Sequence, residues 1–93
     1  MSAYLIAFSK IKDPALATEY SSKAGPTVIA AGGKVITKGK IFPLDGALDV
    51  DAALIVQFDD RASLERWHQS AEYQALIPLR DKALDATIVS VDG

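Results

Sequence analysis

Four segments of the chain carry hydrophobic residues with the spacing of β-strands. They are residues 3–9, 34–42, 52–58 and 87–91. In the first and third segments, hydrophobic residues occupy both alternating sets of positions, which is typical of strands covered on both faces. Gly39 lies inside the second segment and predicts a bulge or bend there, because glycine weakens a regular strand. The pattern therefore predicts a sheet of four strands.

The stretch between the first two strands has the spacing of a helix. Asp13-Pro14 is a start signal, since the carboxylate can accept from free N–H groups and proline fixes the next dihedral angle. Pro26 lacks the N–H that would bond four residues back, so we expect a kink or two short helices. Gly32-Gly33 predicts a left-handed cap at the end. The hydrophobic residues of this helix recur at every fourth position, namely Leu16, Tyr20, Ala24 and Val28.

A second helical stretch runs from Asp60 to Asp85 and contains the only Trp and the only His of the chain. Asp60 is placed to cap it, a break is expected at Ser70 or Ala71, and Pro78 favours a second piece that starts nearby. The spacing predicts one buried face and one wet face. The positions predicted to face the core are Leu64, Trp67, His68, Tyr73, Leu76, Ile77, Arg80 and Leu84, and those predicted to face water are Glu65, Arg66 and Gln69.

The order of these elements predicts the fold. Strand, helix, strand, strand, helix, strand is the ferredoxin-like βαββαβ arrangement, an α+β fold with one four-stranded antiparallel sheet. Both helices lie on one face of that sheet, which leaves the other face bare. A hydrophobic patch of that size is rarely left in water. We therefore expect residues 1–93 to form one domain that assembles into a homodimer through its sheet faces.

Composition narrows the range of partners. The chain has 93 residues, with 12 acidic and 10 basic side chains, and no Lys/Arg cluster able to neutralise a row of phosphates, so we expect no nucleic acid partner. Lys34, Lys38 and Lys40 alternate along a predicted strand and are interpreted as its solvated side. The absence of cysteine excludes disulfides and thiolate chemistry. No segment has the pattern of a signal peptide or a membrane span, so we expect a cytoplasmic protein without a membrane partner.

Several short motifs resemble those of a known family. They are the opening strand with Tyr4, D-P followed by Tyr20, Pro26, Gly32-Gly33, Asp45-Gly46 and, most specifically, W-H-Q-S-A-E-Y-Q-A-L at 67–76 with Arg80. On these residues the chain resembles the family called domain of unknown function 1330, in the dimeric α/β-barrel superfamily. The resemblance implies two ferredoxin-like units with their sheets face to face, and no established reaction. The wider superfamily includes cofactor-free oxygenases, lactone isomerases, haem-degrading enzymes and ligand-sensing modules, so the fold does not choose among them.

His68 and Arg80 are the first candidates for chemistry. Histidine titrates near neutral pH, so His68 could act as a general base or bind haem, or it could be a hydrogen-bonded structural residue. A guanidinium among hydrophobic neighbours must find a carboxylate or a ligand anion. The internal partner of Arg80 would be Asp45, Glu72 or Asp85. Because both residues lie on the predicted inward face, we expect them to approach one shared cavity.

The remaining candidates are a loop carboxylate and aromatic side chains. Asp45 could bring a carboxylate to the mouth of a pocket, or Asp45-Gly46 could serve only as a turn. Trp67 is expected to be structural first and to line a ligand pocket, and the phenols of Tyr4, Tyr20 and Tyr73 could orient a polar ligand. One histidine without cysteines cannot assemble a protein-only zinc site, so no metal is expected, and no other cofactor is required.

Three hypotheses of function follow. The first is a homodimeric protein that binds a small, partly aromatic or acidic molecule between helices and sheet, lined by Tyr4, Tyr20, Trp67, His68 and Arg80. The second is a cofactor-free oxygenase or isomerase, in which His68 or Asp45 removes a proton and Arg80 holds the oxyanion. The third is a structural or regulatory dimer module with a filled core. A cavity inside the fold would separate the first two from the third.

Overall fold

Four strands and four helices follow one another in a computed structural model that describes all 93 residues. In chain order they are β1 (Ala3–Ile11), α1 (Pro14–Ala30), β2 (Lys34–Lys40), β3 (Ala52–Phe58), α2 (Arg61–Gln69), α3 (Ala71–Gln74), α4 (Ile77–Ala83) and β4 (Leu84–Asp92). This is the predicted ferredoxin-like βαββαβ fold, with the second crossover divided into three short helices. The predicted fold class is confirmed. None of the helices combines the length and the hydrophobicity needed to span a bilayer.

The sheet has the strand order β2-β3-β1-β4, and every neighbouring pair is antiparallel. Alternate residues of the central strand β1 face opposite sides. Leu5 pairs with Val56 on the side that the helices cover, and both residues are buried. Ile6 pairs with Ile55 and Val89 on the other side, where no helix lies. The helices therefore cover only one face of the sheet.

Helix α1 is continuous through Pro26, so the prediction of two short helices is wrong. Pro26 and Ser22 are both exposed, and water can therefore bond the Ser22 carbonyl that would otherwise accept the missing N–H. The predicted glycine cap is confirmed. Gly32 has a φ of 86°, its N–H donates to the Ile29 carbonyl at 3.0 Å, and the Gly33 N–H donates to the Val28 carbonyl at 2.9 Å. This pair of bonds is a Schellman motif.

The edge strands differ from their predicted bounds and from the predicted position of the bulge. The register shift in β2 lies between Val35 and Thr37, whereas Gly39 pairs regularly with Ala53. Strand β2 ends at Lys40 rather than at residue 42. Strand β4 starts at Leu84, which was predicted to be helical, because its pairing with β1 runs along the whole of that strand. Leu84 was assigned to the hydrophobic face of the preceding helix, so only residues 87–91 were predicted as a strand.

The break between α2 and α3 lies at Ser70, as predicted. The Ser70 hydroxyl accepts from the Tyr73 N–H at 3.2 Å, which makes it the N-cap of α3, and it donates to the Trp67 carbonyl at 2.7 Å. Asp60 caps α2 by accepting from the Ser63 N–H at 2.7 Å. These two caps set the direction in which α2 leaves the sheet and the direction in which α3 returns.

The hydrophobic core lies between the helices and the covered sheet face. Trp67 stands at its centre, with its ring centroid 4.3 Å from that of Tyr73 and 6.0 Å from that of Phe58. The indole N–H donates to the Thr27 hydroxyl at 3.0 Å, so Trp67 also ties α2 to α1. The core cluster comprises Ala3, Leu5, Val28, Val56, Phe58, Leu64, Trp67 and Tyr73.

Trp67→Ala is expected to lower the free energy of unfolding by about 3–5 kcal/mol, because the indole is only 5 % exposed and its removal leaves a cavity. Trp67→Phe is the matched control, since it keeps an aromatic ring and should cost less. Chemical denaturation measures both changes. A loss under about 1 kcal/mol for Trp67→Ala would contradict the central position of this residue.

Candidate functional site

A cavity of about 220 Å³ lies between the covered face of the sheet and the inner side of α1. Of its 18 lining residues, 14 are hydrophobic, so its walls favour a ligand with a largely hydrophobic surface. Leu5, Ala7 and Val56 form part of its floor, and Ala24 of α1 and Trp67 of α2 belong to its walls. The cavity arises because several strand positions that face the helices carry alanine or serine instead of a large side chain.

Few polar side chains reach this cavity. Its lining includes Ser9 and Ser21, the ammonium-bearing side chain of Lys38, and the phenol of Tyr20. Lys38 forms no ion pair, and its residue is exposed. Tyr20 is partly buried and packs against the hydrophobic core cluster.

Behind Tyr20 a chain of hydrogen bonds leads to a cation. The Tyr20 and Tyr73 hydroxyl oxygens are 2.9 Å apart, and Arg80 Nη1 donates to the Tyr73 hydroxyl, also at 2.9 Å. Tyr73 is fully buried, and the Arg80 side chain is 17 % exposed. The three residues come from α1, α3 and α4, so this chain of bonds exists only when all three helices are in place.

The surroundings shift the pKa values of two members of this chain. Burial, together with the hydrogen bond to Tyr73, raises the pKa of Tyr20 well above its usual value near 10. Burial is the largest single effect on Arg80 and lowers its pKa, but the hydrogen bond to the Tyr73 hydroxyl and the charge interactions with Tyr73 and Asp81 together outweigh it, so the pKa is raised overall. At physiological pH this series of hydrogen-bonded side chains therefore includes the Arg80 cation and a neutral Tyr20.

Arg80 contacts a phenol and the neighbouring Asp81, and none of the predicted carboxylates. Its salt bridge to Asp81 is exposed on the carboxylate side, with Oδ1 of Asp81 3.4 Å from both Nε and Nη2 of Arg80. Asp85 instead pairs with Lys12 at 3.5 Å, and Asp45 lies in an exposed loop. The prediction of a pair with Asp45, Glu72 or Asp85 is wrong. Arg80 Nη1 instead donates to the hydroxyl of Tyr73, which α3 places beside it.

His68 is placed apart from this cavity. It is partly buried and lines a second, more polar cavity of about 170 Å³ beside β4, together with Glu65 and Ser90. Its ring centroid is 5.8 Å from that of Tyr73, and its Nδ1 is 3.4 Å from Gln69 Nε2. His68 lines the second cavity and Arg80 lines neither, so these two cavities do not bring the predicted pair together. The chain turns at Ser70, which sends α3 and α4 towards α1 and leaves His68 on the side of β4.

The other predicted site residues are distributed over both faces of the sheet and one loop. Tyr4 lies on the uncovered face, where it pairs with Gln57 and Val91, and it cannot line a cavity beneath the helices. Asp45 is exposed next to Gly46, whose φ of 72° suits a turn. Of the predicted ligand-binding residues, the structure brings Tyr20 and Trp67 to the cavity and places Tyr73 and Arg80 directly behind Tyr20.

Solved structures of similar fold come from several bacteria. A protein of unknown function from Rhodopseudomonas palustris has a TM-score of 0.76 and 20% identity, with 99% of this chain and 82% of that chain covered. A dimeric ferredoxin-like protein of unknown function from Thermobifida fusca has a TM-score of 0.68 and 19% identity, with coverage of 100% and 92%. SnoaB, a cofactor-independent oxygenase from Streptomyces nogalater, has a TM-score of 0.74 and 9% identity, with coverage of 99% and 92%.

At these identities, the similarity extends to the fold and not to the activity. No functionally curated protein matches the chain. A family model does match, and it covers residues 2–93, which is nearly the whole sequence. The chain belongs to the family described as domain of unknown function (DUF1330).

Proposed function

We propose that this protein is a homodimer that binds a small hydrophobic, partly aromatic molecule in the cavity between α1 and the sheet. The observation that carries the proposal is the cavity of about 220 Å³ with its mainly hydrophobic lining. The cavity is partly open to solvent, since Ser21, Gly25 and Lys38 of its lining are exposed. Its hydrophobic walls are therefore in contact with water, and a hydrophobic ligand that covers them would bind favourably.

The size and polarity of the cavity define the class of ligand. Typical sites for drug-sized ligands have about 300–1,000 Å³, so this cavity fits a compound of one or two rings. An ionised group inside it would lose its hydration, and Lys38 at the lining is the one cation that could compensate. We therefore propose a neutral ligand, with an acidic ligand as the alternative.

The two other hypotheses receive less support. A structural module with a filled core does not agree with a cavity of this size. An oxygenase or isomerase that uses His68 as base and Arg80 as oxyanion holder would need both in one site, but they line no common cavity. SnoaB, the cofactor-independent oxygenase of similar fold, is only 9% identical to this chain, so its activity does not support an enzymatic role for His68 or Arg80.

The uncovered sheet face supports the homodimer. Its side chains are hydrophobic at the centre, and those of the edge strand remain exposed, with Val89 at 40 % and Val91 at 46 %. Tyr4, Ile6, Phe8 and Ile55 complete this surface. A second copy would cover it with an identical surface, as a two-fold dimer requires. Two proteins of similar fold, from Thermobifida fusca and Bacteroides fragilis, are dimeric.

Indane, a hydrophobic probe of two fused rings, is expected to stabilise the protein by binding in the cavity. At ten times its Kd, a ligand that binds only the native state adds about 1.4 kcal/mol to the free energy of unfolding. For a domain of this size that raises Tm by about 6–11 °C. Differential scanning fluorimetry measures the shift.

Ala86→Leu should abolish that shift, because Ala86 lines the cavity and the larger side chain fills it. Ala15→Leu is the matched control, since Ala15 is exposed on α1 and outside the cavity lining. An equal Tm shift with indane in both variants would place the binding site elsewhere. If neither indane nor any other compound from a panel of one- and two-ring molecules raised the Tm of the unchanged protein, the proposal would be contradicted.

Ile6→Asp is expected to convert the dimer into a folded monomer. Ile6 lies between Ile55 and Val89 at the centre of the uncovered face, and a standard interface buries about 1,200–2,000 Å² there. Analytical ultracentrifugation at micromolar concentration measures the mass. Ala62→Asp, at an exposed position of α2, is the control that should remain dimeric. A monomeric mass for the unchanged protein would refute the dimer.

A further inference from the structure

We propose that the Tyr20 hydroxyl is the hydrogen-bond donor that selects the ligand, and that it selects neutral hydrophobic compounds with a carbonyl oxygen. The inference rests on the proposed binding function and adds the chemistry of recognition. It follows from the direction in which the hydrogen bonds between Arg80, Tyr73 and Tyr20 must run. That direction can be deduced from which groups can donate and which can accept.

The first bond has only one direction. A guanidinium carries five N–H donors and no acceptor, so Arg80 Nη1 must donate and the Tyr73 oxygen must accept. The Tyr73 hydroxyl proton is then directed away from Arg80. This bond is partly buried, with both side chains held by packing, so the assignment does not change with surface motion.

The second bond takes its direction from the burial of Tyr73. The Tyr73 residue has no exposure to solvent, and its hydroxyl has no hydrogen-bond partners other than Arg80 and Tyr20. If Tyr20 donated to Tyr73, the Tyr73 proton would be buried without an acceptor, which costs about 1–3 kcal/mol. Tyr73 therefore donates to Tyr20.

This leaves the Tyr20 proton without an acceptor in the protein. Its oxygen accepts from Tyr73, no other side chain or carbonyl bonds to it, and Tyr20 forms part of the cavity lining. The raised pKa keeps the phenol protonated throughout the physiological range, so it can donate but cannot act as a base. The charge of Arg80 polarises both hydroxyls in the same sense, which strengthens the final donor.

Ser9, Ser21 and Lys38 also lie on the lining, but Tyr20 is the neutral donor whose proton has no acceptor in the protein, and such a donor among mainly hydrophobic walls fits one class of compound. A ketone or quinone-like carbonyl supplies an acceptor without bringing a donor or a full charge that the walls would leave unsatisfied. An alcohol or amine would bring a hydrogen that needs its own acceptor. Arg80 and Tyr73 do not line the cavity, so their role is to position and polarise Tyr20 rather than to touch the ligand.

Indane and 1-indanone provide the test, because they have the same ring skeleton and differ by the carbonyl group. Isothermal titration calorimetry of the unchanged protein should show that 1-indanone binds about 2–12-fold more tightly than indane, the usual value of one neutral hydrogen bond. Tyr20→Phe should remove this preference while leaving the affinity for indane within about two-fold. Tyr73→Phe should reduce the preference only in part, since Tyr20 keeps its hydroxyl but loses the donor that fixes its direction.

Lys38→Met, Ser9→Ala and Ser21→Ala are the matched controls, because these residues are the competing polar groups of the lining, and all three variants should keep the preference. A preference that disappears in Lys38→Met and survives in Tyr20→Phe would overturn the inference in favour of the lysine. Equal affinities of the unchanged protein for both probes would overturn it and leave the hydrophobic binding site intact. If neither probe binds, the proposed function and the inference both fail. The comparison on the unchanged protein does not depend on how any variant folds.

Discussion

The contact between Trp67 and Tyr73 is the constraint on which the rest of the helical layer depends. Their ring centroids are 4.3 Å apart although a helix break separates them, and the Ser70 hydroxyl makes this approach possible by bonding to the backbone on both sides. Trp67 is thereby fixed against the sheet and Thr27, while Tyr73 is directed towards α1 and α4. A continuous helix would have carried one of the two rings into solvent.

The same turn divides the polar groups of the molecule between two regions. His68 precedes it and lies beside β4, among groups that water can reach. Tyr73 and Arg80 follow it, and they join Tyr20 beneath α1, where the lining is mainly hydrophobic. The imidazole of His68 and the guanidinium of Arg80 thus lie in different environments, although both residues belong to the most specific motif of the chain.

Much of the fold could be predicted from the sequence, because its signals are local. Asp60, Ser70 and Gly32-Gly33 act on the backbone within a few residues, and the structure shows each of these caps as predicted. The failures concern properties that depend on distant parts of the chain. Pro26 does not break α1, since its solvent-facing position removes the main cost, and β4 is longer than its hydrophobic core because β1 supplies a partner along its whole length.

The site was harder to predict for the same reason. The prediction was based on aromatic and charged residues, and it included Tyr20 and Trp67. The cavity itself, however, results from positions that lack a large side chain. Small residues at strand positions facing the helices, such as Ala7, Ser9 and Ala86, were the signal that could have located it. The partner of Arg80 could not be read from spacing, because the orientation of Tyr73 is set by the Ser70 turn and not by helical periodicity.

The register shift in β2 involves only one residue, but it determines which side chains of this strand face the cavity. Val35 pairs with Val56 and Lys38 pairs with Leu54, so the shift places both Val35 and Lys38 on the face towards the helices. In a strictly alternating strand, Thr37 and Gly39 would stand there after Val35, and Lys38 would point to the opposite face. One unpaired residue therefore decides whether the rim of the cavity carries a positive charge. A change of a single position in strand alignment would exchange Lys38 for uncharged residues at the rim and so remove the positive charge there, with no change in the amino-acid sequence.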